Sequence, residues 1–116
     1  MSDMVPLLKG TLDILVLKAL SWTPMHGIEI TNWLAERSGG ELSFDESGVY
    51  QALYRMEARG LIEAEWGVSS NNRRARFYSI TPDGRRHLKT ETRQFVRYGK
   101  LLTGILTGPA ESRGAG

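Results

Sequence analysis

The stretch ESGVYQALYRMEARGLIEAEWGV, residues 46–68, has two different hydrophobic periods on either side of Gly60. Before this glycine, apolar residues recur at the spacing of one helix face: Val49, Leu53 and Met56. After it, apolar and charged residues alternate, which is the period of a half-buried strand. The sequence therefore predicts a helix over residues 46–59, followed directly by a strand over residues 61–68.

The polar side of this predicted helix carries side chains suited to a partner other than the core. They are Ser47, Tyr50, Gln51, Tyr54 and Arg55. A glutamine can make a two-point contact to adenine in the major groove, and a tyrosine ring can pack against a thymine methyl. We therefore predict that this face contacts DNA.

A second alternating segment, residues 75–80, follows the turn-forming residues 69–74. The two segments predict a two-stranded hairpin with a basic tip. Its candidate DNA contacts are Asn72, Arg73, Arg74 and Arg76. The net charge of the chain is only +2, but residues 73–93 hold seven basic and two acidic residues, which favours a local surface for a polyanion.

Two helices are predicted before this region, over about residues 6–21 and 26–38. The first has an apolar stripe from which Ile14 and Leu17 are displaced, so it is expected to bury a second face, if necessary against a partner chain. The three tryptophans are expected in the core or at a dimer contact: Trp22, Trp33 and Trp66.

A final helix is predicted over residues 81–107, with Thr81 as its N-cap and Pro82 at its first position. A heptad seam, weakened at Thr92 and Gly99, steps by four and three along it: Leu88, Thr92, Phe95, Gly99, Leu102 and Leu106. A single short chain has no remaining core in which to bury this seam, so a homodimer is predicted. The predicted interface comprises Leu12, Leu88, Phe95, Gly99, Leu102, Ile105 and Leu106.

The order of elements is that of a winged helix-turn-helix, a mainly α fold with a two-stranded β wing. We expect a DNA-binding domain over residues 6–80, a C-terminal dimerisation helix over 81–107 and a disordered tail over 108–116. The third helix would enter the major groove of double-stranded DNA, and the wing would contact phosphate.

Composition excludes several classes of function. There is no cysteine, no membrane-spanning apolar run and no basic start typical of a secretory signal, so a cytoplasmic protein is expected. The two histidines, His26 and His87, are too far apart to suggest a metal site. No catalytic motif is present, and we expect neither an enzyme nor a cofactor.

Four short motifs resemble the PadR family of bacterial transcriptional regulators, in its short class with a single C-terminal helix. They are residues 8–13 (LKGTLD), 25–27 (MHG), 48–57 (GVYQALYRME) with 60–62 (GLI), and 72–78 (NRRARFY) followed by Thr81 and Gly84. The motifs occur in the family's order, and the resemblance covers residues 7–106, nearly the whole chain.

The resemblance implies a homodimeric repressor that binds an inverted-repeat operator. It implies DNA contacts from the wing and from the third helix, at Ser47, Tyr50, Gln51 and Arg55. Some members of the short class bind flat aromatic compounds between the paired C-terminal helices, where a tryptophan can line the space. This chain has Phe95 at that position, and Phe95 and Tyr98 are its candidate effector pocket.

Two other functions remain open at the level of sequence. A winged helix can serve as a module for protein–protein contact, and the chain could be a sensor of small molecules with secondary DNA binding. A module that contacts phosphate binds random duplex DNA at low salt and loses affinity as salt rises, whereas a protein–protein module does neither.

Overall fold

The computed structural model describes residues 10–109. Its elements follow the predicted order: α1 (Leu12–Trp22), α2 (Gly27–Arg37), α3 (Glu46–Ala58), β1 (Ile62–Val68), β2 (Arg74–Ile80) and α4 (Pro82–Thr107). The predicted fold class, mainly α with a two-stranded β wing, is confirmed. None of the helices in residues 10–109 is long and apolar enough to cross a membrane.

The core lies between α1, α2, α3 and the base of the hairpin. Its largest fully buried side chains are Leu17, Leu20, Ile30, Leu53, Met56, Ile62, Val16 and Val49. The helix α2 begins with a capping box, in which the His26 N–H donates to Glu29 Oε1 at 3.1 Å and the Glu29 N–H donates to His26 Nδ1 at 3.4 Å. These bonds satisfy backbone groups that the first turn leaves unpaired.

The strands β1 and β2 pair antiparallel, from Ile62 opposite Ile80 at the base to Val68 opposite Arg74 at the tip. The base is anchored in the core through Ile62 and Tyr78, while the tip is exposed. Met25, before α2, also exchanges two backbone hydrogen bonds with Tyr78. The hairpin is therefore fastened to the helical body at one end and projects from it at the other.

The junction between the hairpin and α4 is held by Thr81 and Gly84. The Thr81 hydroxyl accepts from the Gly84 N–H at 3.0 Å and donates to the Gly60 carbonyl at 2.8 Å, so the predicted N-cap also ties α4 to the end of α3. Gly84 is buried against the Leu61 backbone and Ile80. The start of α4 is thus part of the body, and only its later turns extend beyond it.

The structure adds detail to the sequence-based expectations and corrects one helix boundary. Leu17 is 1% exposed in the core, which agrees with the second buried face expected for α1. The three tryptophans are expected in the core or at a dimer contact, and Trp33 packs against the core. Trp22 and Trp66 are 70% and 57% exposed in the single chain, so a dimer contact for these two stays a prediction. The helix predicted from residue 6 begins at Leu12, because Gly10 has a φ of +89°, outside the helical region.

Two expectations fall partly outside the described residues. The predicted first helix includes residues 6–9, and the predicted tail includes residues 110–116, neither of which the structure describes. Within the described part, α4 ends at Thr107, as its Gly-Pro stop signal predicts.

The close packing of Gly84 makes a strong prediction about stability. A Cβ atom there would overlap the Leu61 carbonyl oxygen and lie 2.8 Å from Ile80 Cγ1, so Gly84→Ala must push α4 away from the hairpin. We expect a loss of about 3 kcal/mol in the free energy of unfolding, measured by chemical denaturation.

Gly104→Ala is the matched control, since nothing lies within 4 Å of a Cβ at that helical position. It should raise the stability by about 0.5–1 kcal/mol through the better helix propensity of alanine. Equal effects of the two substitutions would contradict the packing described here.

Candidate DNA-binding surface

The helix α3 divides cleanly into a buried and an exposed face. Its buried residues are Val49, Ala52, Leu53 and Met56, as the apolar period predicts. The five candidate contacts on the other face are all exposed: Ser47, Tyr50, Gln51, Tyr54 and Arg55. Tyr54 is 78% exposed, so most of its ring is available to a partner. Burial of one face therefore determines which side chains the helix presents to its surroundings.

A cleft of about 590 Å³ lies between the start of α2 and the wing, and Tyr50 of α3 reaches into its lining. It is lined by residues 26–29 and Asn32 at the α2 end, Tyr50 on α3, and Trp66, residues 69–71, residues 73–76 and Tyr78 on the wing. The structure thus brings Tyr50 together with Arg73, Arg74 and Arg76. The remaining candidates do not line this cleft: Ser47, Gln51, Tyr54 and Arg55 on α3, and Asn72 at the hairpin tip.

The position of Tyr50 in the cleft depends on Gly27. A Cβ atom on Gly27 would lie 2.5 Å from Tyr50 Cζ and 2.7 Å from its hydroxyl oxygen, so only glycine lets the ring take this position. Burial raises the pKa of Tyr50, and the negative charge of Glu46 and the neighbouring Tyr78 raise it further. The side chain is still 44% exposed, so one edge of the ring is held by packing while the other remains accessible.

The hairpin tip is a closed turn built around Ser69. Its backbone N–H donates to the Arg73 carbonyl at 2.7 Å, and its hydroxyl donates to Asn71 Oδ1 at 2.6 Å. Asn72 has a φ of +63°, a left-handed conformation that asparagine tolerates better than most residues. Its candidate role in DNA contact stays a prediction, while its role in shaping the turn follows from this geometry.

The three candidate arginines of the wing differ in what holds them. The Arg74 guanidinium lies 4.5 Å from the centre of the Trp66 ring, and Arg76 forms a 3.0 Å ion pair with Glu57 of α3. Among the described residues, neither Arg73 nor Arg74 forms an ion pair with a carboxylate. Arg73 and Arg74 therefore keep their full charge for an anionic partner, while Arg76 also braces the wing against α3.

Two of the α3 candidates are engaged with neighbouring carboxylates. Arg55 Nη2 lies 2.6 Å from Asp13 Oδ1 on α1, and the Ser47 hydroxyl donates to Asp45 Oδ2 at 2.8 Å. The Arg55 side chain remains 53% exposed within its ion pair. Both side chains are therefore accessible and also oriented by the protein itself.

Sequence reasoning did not identify Asp13, Glu57 or Trp66 as part of this surface. The Trp66 contact had a usable signal, because the hairpin register places Trp66 opposite Arg76 with Arg74 diagonal to it. The Arg55–Asp13 pair joins residues 42 positions apart on different helices, and nothing in the local pattern indicates it.

The helix α4 exposes a second surface of different character. Seven of its large apolar side chains are at least 40% exposed in the single chain: Phe95, Val96, Tyr98, Leu101, Leu102, Ile105 and Leu106. Leu12 and Leu88, also predicted for the dimer interface, are half-buried and pack against the core of their own chain, because α1 runs beside the start of α4. Phe95 and Tyr98 line a groove of about 580 Å³ between α4 and the start of α1.

Comparison with known proteins agrees with this architecture. The family model described as the transcriptional regulator PadR-like family matches residues 16–90. A PadR family transcription regulator from Clostridium difficile is 28% identical, with 84% of this chain and 99% of that chain covered and a TM-score of 0.72. A PadR-like transcriptional regulator from Bacillus cereus is 26% identical, with 88% and 97% covered and a TM-score of 0.73.

A third structure, PadR from Bacillus subtilis in complex with operator DNA, shares the fold at lower similarity. It is 22% identical, with 71% of this chain and 47% of that chain covered and a TM-score of 0.63.

The contact between Gly27 and Tyr50 can be tested without any ligand. In the parent protein, Tyr50 should lose its proton at a higher pH than a solvent-exposed tyrosine, because burial raises its pKa. Gly27→Ala pushes the ring towards solvent and should lower that pKa. The measurement is a titration of phenolate absorbance, with Tyr50→Phe identifying the signal. An unchanged Tyr50 titration in Gly27→Ala would contradict the packing.

Proposed function

Because this chain belongs to the PadR-like family of transcriptional regulators, we propose that it represses transcription by binding a specific operator in double-stranded DNA through α3 and the wing. The observation that carries the proposal is the cleft in which Tyr50 of α3 faces the wing arginines Arg73 and Arg74. A major groove admits an α-helix, and fixed positive charges beside that helix suit the flanking phosphates.

The two parts of the surface have different roles in this proposal. On α3, Gln51 can make a two-point contact to adenine and Tyr50 can contact a thymine methyl and a phosphate, with Ser47, Tyr54 and Arg55 supporting them. On the wing, Arg73 and Arg74 bind phosphate without regard to sequence, because a guanidinium matches phosphate oxygens bidentately. Asn72 and Arg76 complete the wing contact.

We propose that two copies pair through α4. At 26 residues this helix is about 39 Å long, and most of its later turns extend beyond the body with their apolar side chains exposed. Pairing of Phe95, Gly99, Leu102, Ile105 and Leu106 with the same residues of a second copy would remove this surface from water. A two-fold dimer would present two α3 helices, which suits an inverted-repeat operator.

An effector site is proposed at Phe95 and Tyr98. Both aromatic rings line the groove between α4 and the start of α1, where a flat apolar compound could stack against them. A compound held there would lie next to the proposed dimer contact, so its binding could change the separation of the two α3 helices.

The main competing function is a winged helix used for protein–protein contact. The charge of the wing favours DNA instead, because Arg73 and Arg74 are exposed and have no carboxylate partner among the described residues. Contact with a neutral protein partner would bury these two charges beside Tyr50 without a compensating charge, which costs free energy.

The division of labour between α3 and the wing is testable by binding-site selection and by titration with duplex DNA. Gln51→Ala should relax the preference at one base pair of each half-site, a loss of about 1–3 kcal/mol of discrimination, and leave the affinity for random DNA nearly unchanged. Tyr50→Ala should reduce both specificity and affinity. Both variants should fold, because neither side chain lies on the buried face of α3.

The double variant Arg73→Ala/Arg74→Ala is the matched comparison on the wing. It should weaken selected and random duplexes by similar factors, and reduce the slope of log affinity against log salt by about 0.9 for each phosphate that the wing no longer binds. If the parent chain shows no salt-dependent binding to duplex DNA, the proposed function is wrong. If Gln51→Ala and Tyr50→Ala both select the parent's motif, specificity lies outside α3.

The proposed dimer can be tested through the apolar seam of α4. Leu102→Asp would bury an unpaired charge at the interface and should weaken association by about 3 kcal/mol or more, measured by analytical ultracentrifugation. Lys100→Asp, on the opposite side of the helix, is the control and should leave the dimer intact. A parent chain that sediments as a monomer at all concentrations would refute the proposed pairing.

A further inference from the structure

The ion pair between Arg55 and Asp13 places a negative charge at the proposed DNA-binding surface. Arg55 Nη2 and Asp13 Oδ1 are 2.6 Å apart, with the two side chains 53% and 30% exposed. Asp13 is in the first turn of α1, and the next turns of α1 are anchored in the core by Val16 and Leu17. The backbone that carries this carboxylate is therefore held in place by the core, beside Arg55.

This arrangement distinguishes Arg55 from the arginines of the wing. Arg73 and Arg74 have no carboxylate partner among residues 10–109, so their full charge is available to any phosphate. The charge of Arg55 is offset by Asp13, and the pair as a whole is neutral towards a polyanion. An exposed ion pair contributes only about 0–1 kcal/mol, so Arg55 can leave it at low cost. Its departure would leave Asp13 as an unpaired negative charge facing the DNA backbone.

We propose that Asp13 is a specificity-determining residue that reduces the binding of this protein to non-operator DNA. The inference rests on the proposed function, because it concerns the same surface. A random sequence offers Arg55 only phosphate, and a contact with phosphate must displace Asp13 and expose its charge. A guanidinium has five N–H donors, and the pair with Asp13 does not use all of them. A DNA sequence with a base-edge acceptor in the right position can therefore bind the remaining donors of Arg55 while its ion pair with Asp13 stays intact.

Removal of the Asp13 charge should therefore strengthen binding to random DNA rather than weaken it. Asp13→Asn should bind a random duplex about two- to fivefold more tightly for each chain, and its salt slope should become steeper by about 0.9 for each chain as Arg55 binds a phosphate. Its affinity for the duplex selected by the parent protein should rise less. The ratio of the two affinities, which measures specificity, should therefore fall.

The experiment compares five proteins by fluorescence anisotropy with both duplexes across a range of salt concentrations. They are the parent, Asp13→Asn, Arg55→Gln, the Asp13→Asn/Arg55→Gln double variant and the control Asp83→Asn. Asp83 forms an exposed ion pair with Arg86 at the start of α4, so its substitution removes the same charge elsewhere. In the Arg55→Gln background, Asp13→Asn should change the salt slope no more than Asp83→Asn does. Thermal unfolding of each variant checks that the fold is retained. If Asp13→Asn does not fold, Asp13→Ala takes its place.

Two outcomes would overturn the proposal. Asp13→Asn could match Asp83→Asn in both random-duplex affinity and salt slope, which would mean that Asp13 does not restrain Arg55. Asp13→Asn could instead weaken only the selected duplex, which would make Asp13 a support for Arg55 rather than a barrier to random binding. In both cases the parent still binds DNA and the proposed function stands. A parent that binds neither duplex would remove both proposals together.

Discussion

The burial of one face of α3 is the constraint on which the rest of this structure depends. Val49, Ala52, Leu53 and Met56 are all inaccessible to solvent, and their packing against α1 and α2 leaves the helix no freedom to rotate. Rotation by one residue would expose an apolar stripe at a cost of several kcal/mol. The exposed face is therefore determined by the core, and its side chains are accessible to a partner.

The arginines around this helix differ in whether a carboxylate of the same chain offsets their charge. The chain carries only +2 overall, yet Arg73 and Arg74 on the wing have no carboxylate partner among the described residues. Arg55 on α3 and Arg76 on the wing are each held by a carboxylate from another element. In the proposed function, this separation would give the wing a salt-dependent attraction to phosphate and give α3 restrained groups that are better suited to distinguishing base pairs.

The helix α4 connects the body to an apolar surface that is exposed in the part of the chain that the structure describes. Its first turns belong to the core, because Gly84 lies against the Leu61 backbone and Leu88 packs beside α1. Its later turns carry Leu102, Ile105 and Leu106 in exposed positions. A movement of α4 would consequently reach the end of α3 directly through Thr81, which hydrogen-bonds to the Gly60 carbonyl. This continuity offers a physical route from the proposed dimer and effector sites to the proposed DNA-binding surface.

The sequence by itself determined the order and type of the elements, the hairpin, the Thr81 cap and the buried face of α3. These features depend on local period and on turn and cap chemistry, which act over a few residues. It also selected the nine candidate DNA contacts, all of which are exposed in the structure. Only the tertiary structure decided that Trp33, rather than Trp22 or Trp66, packs against the core of the single chain. It alone also showed that Tyr50 needs a glycine at position 27.

The same holds for the partners of the arginines. Arg55 meets Asp13 across 42 residues of sequence, and Arg76 meets Glu57 across 19. Such contacts depend on the angles and distances at which whole elements pack. Those angles are set by the combined shape of the core, and no pattern within a single helix or strand records them.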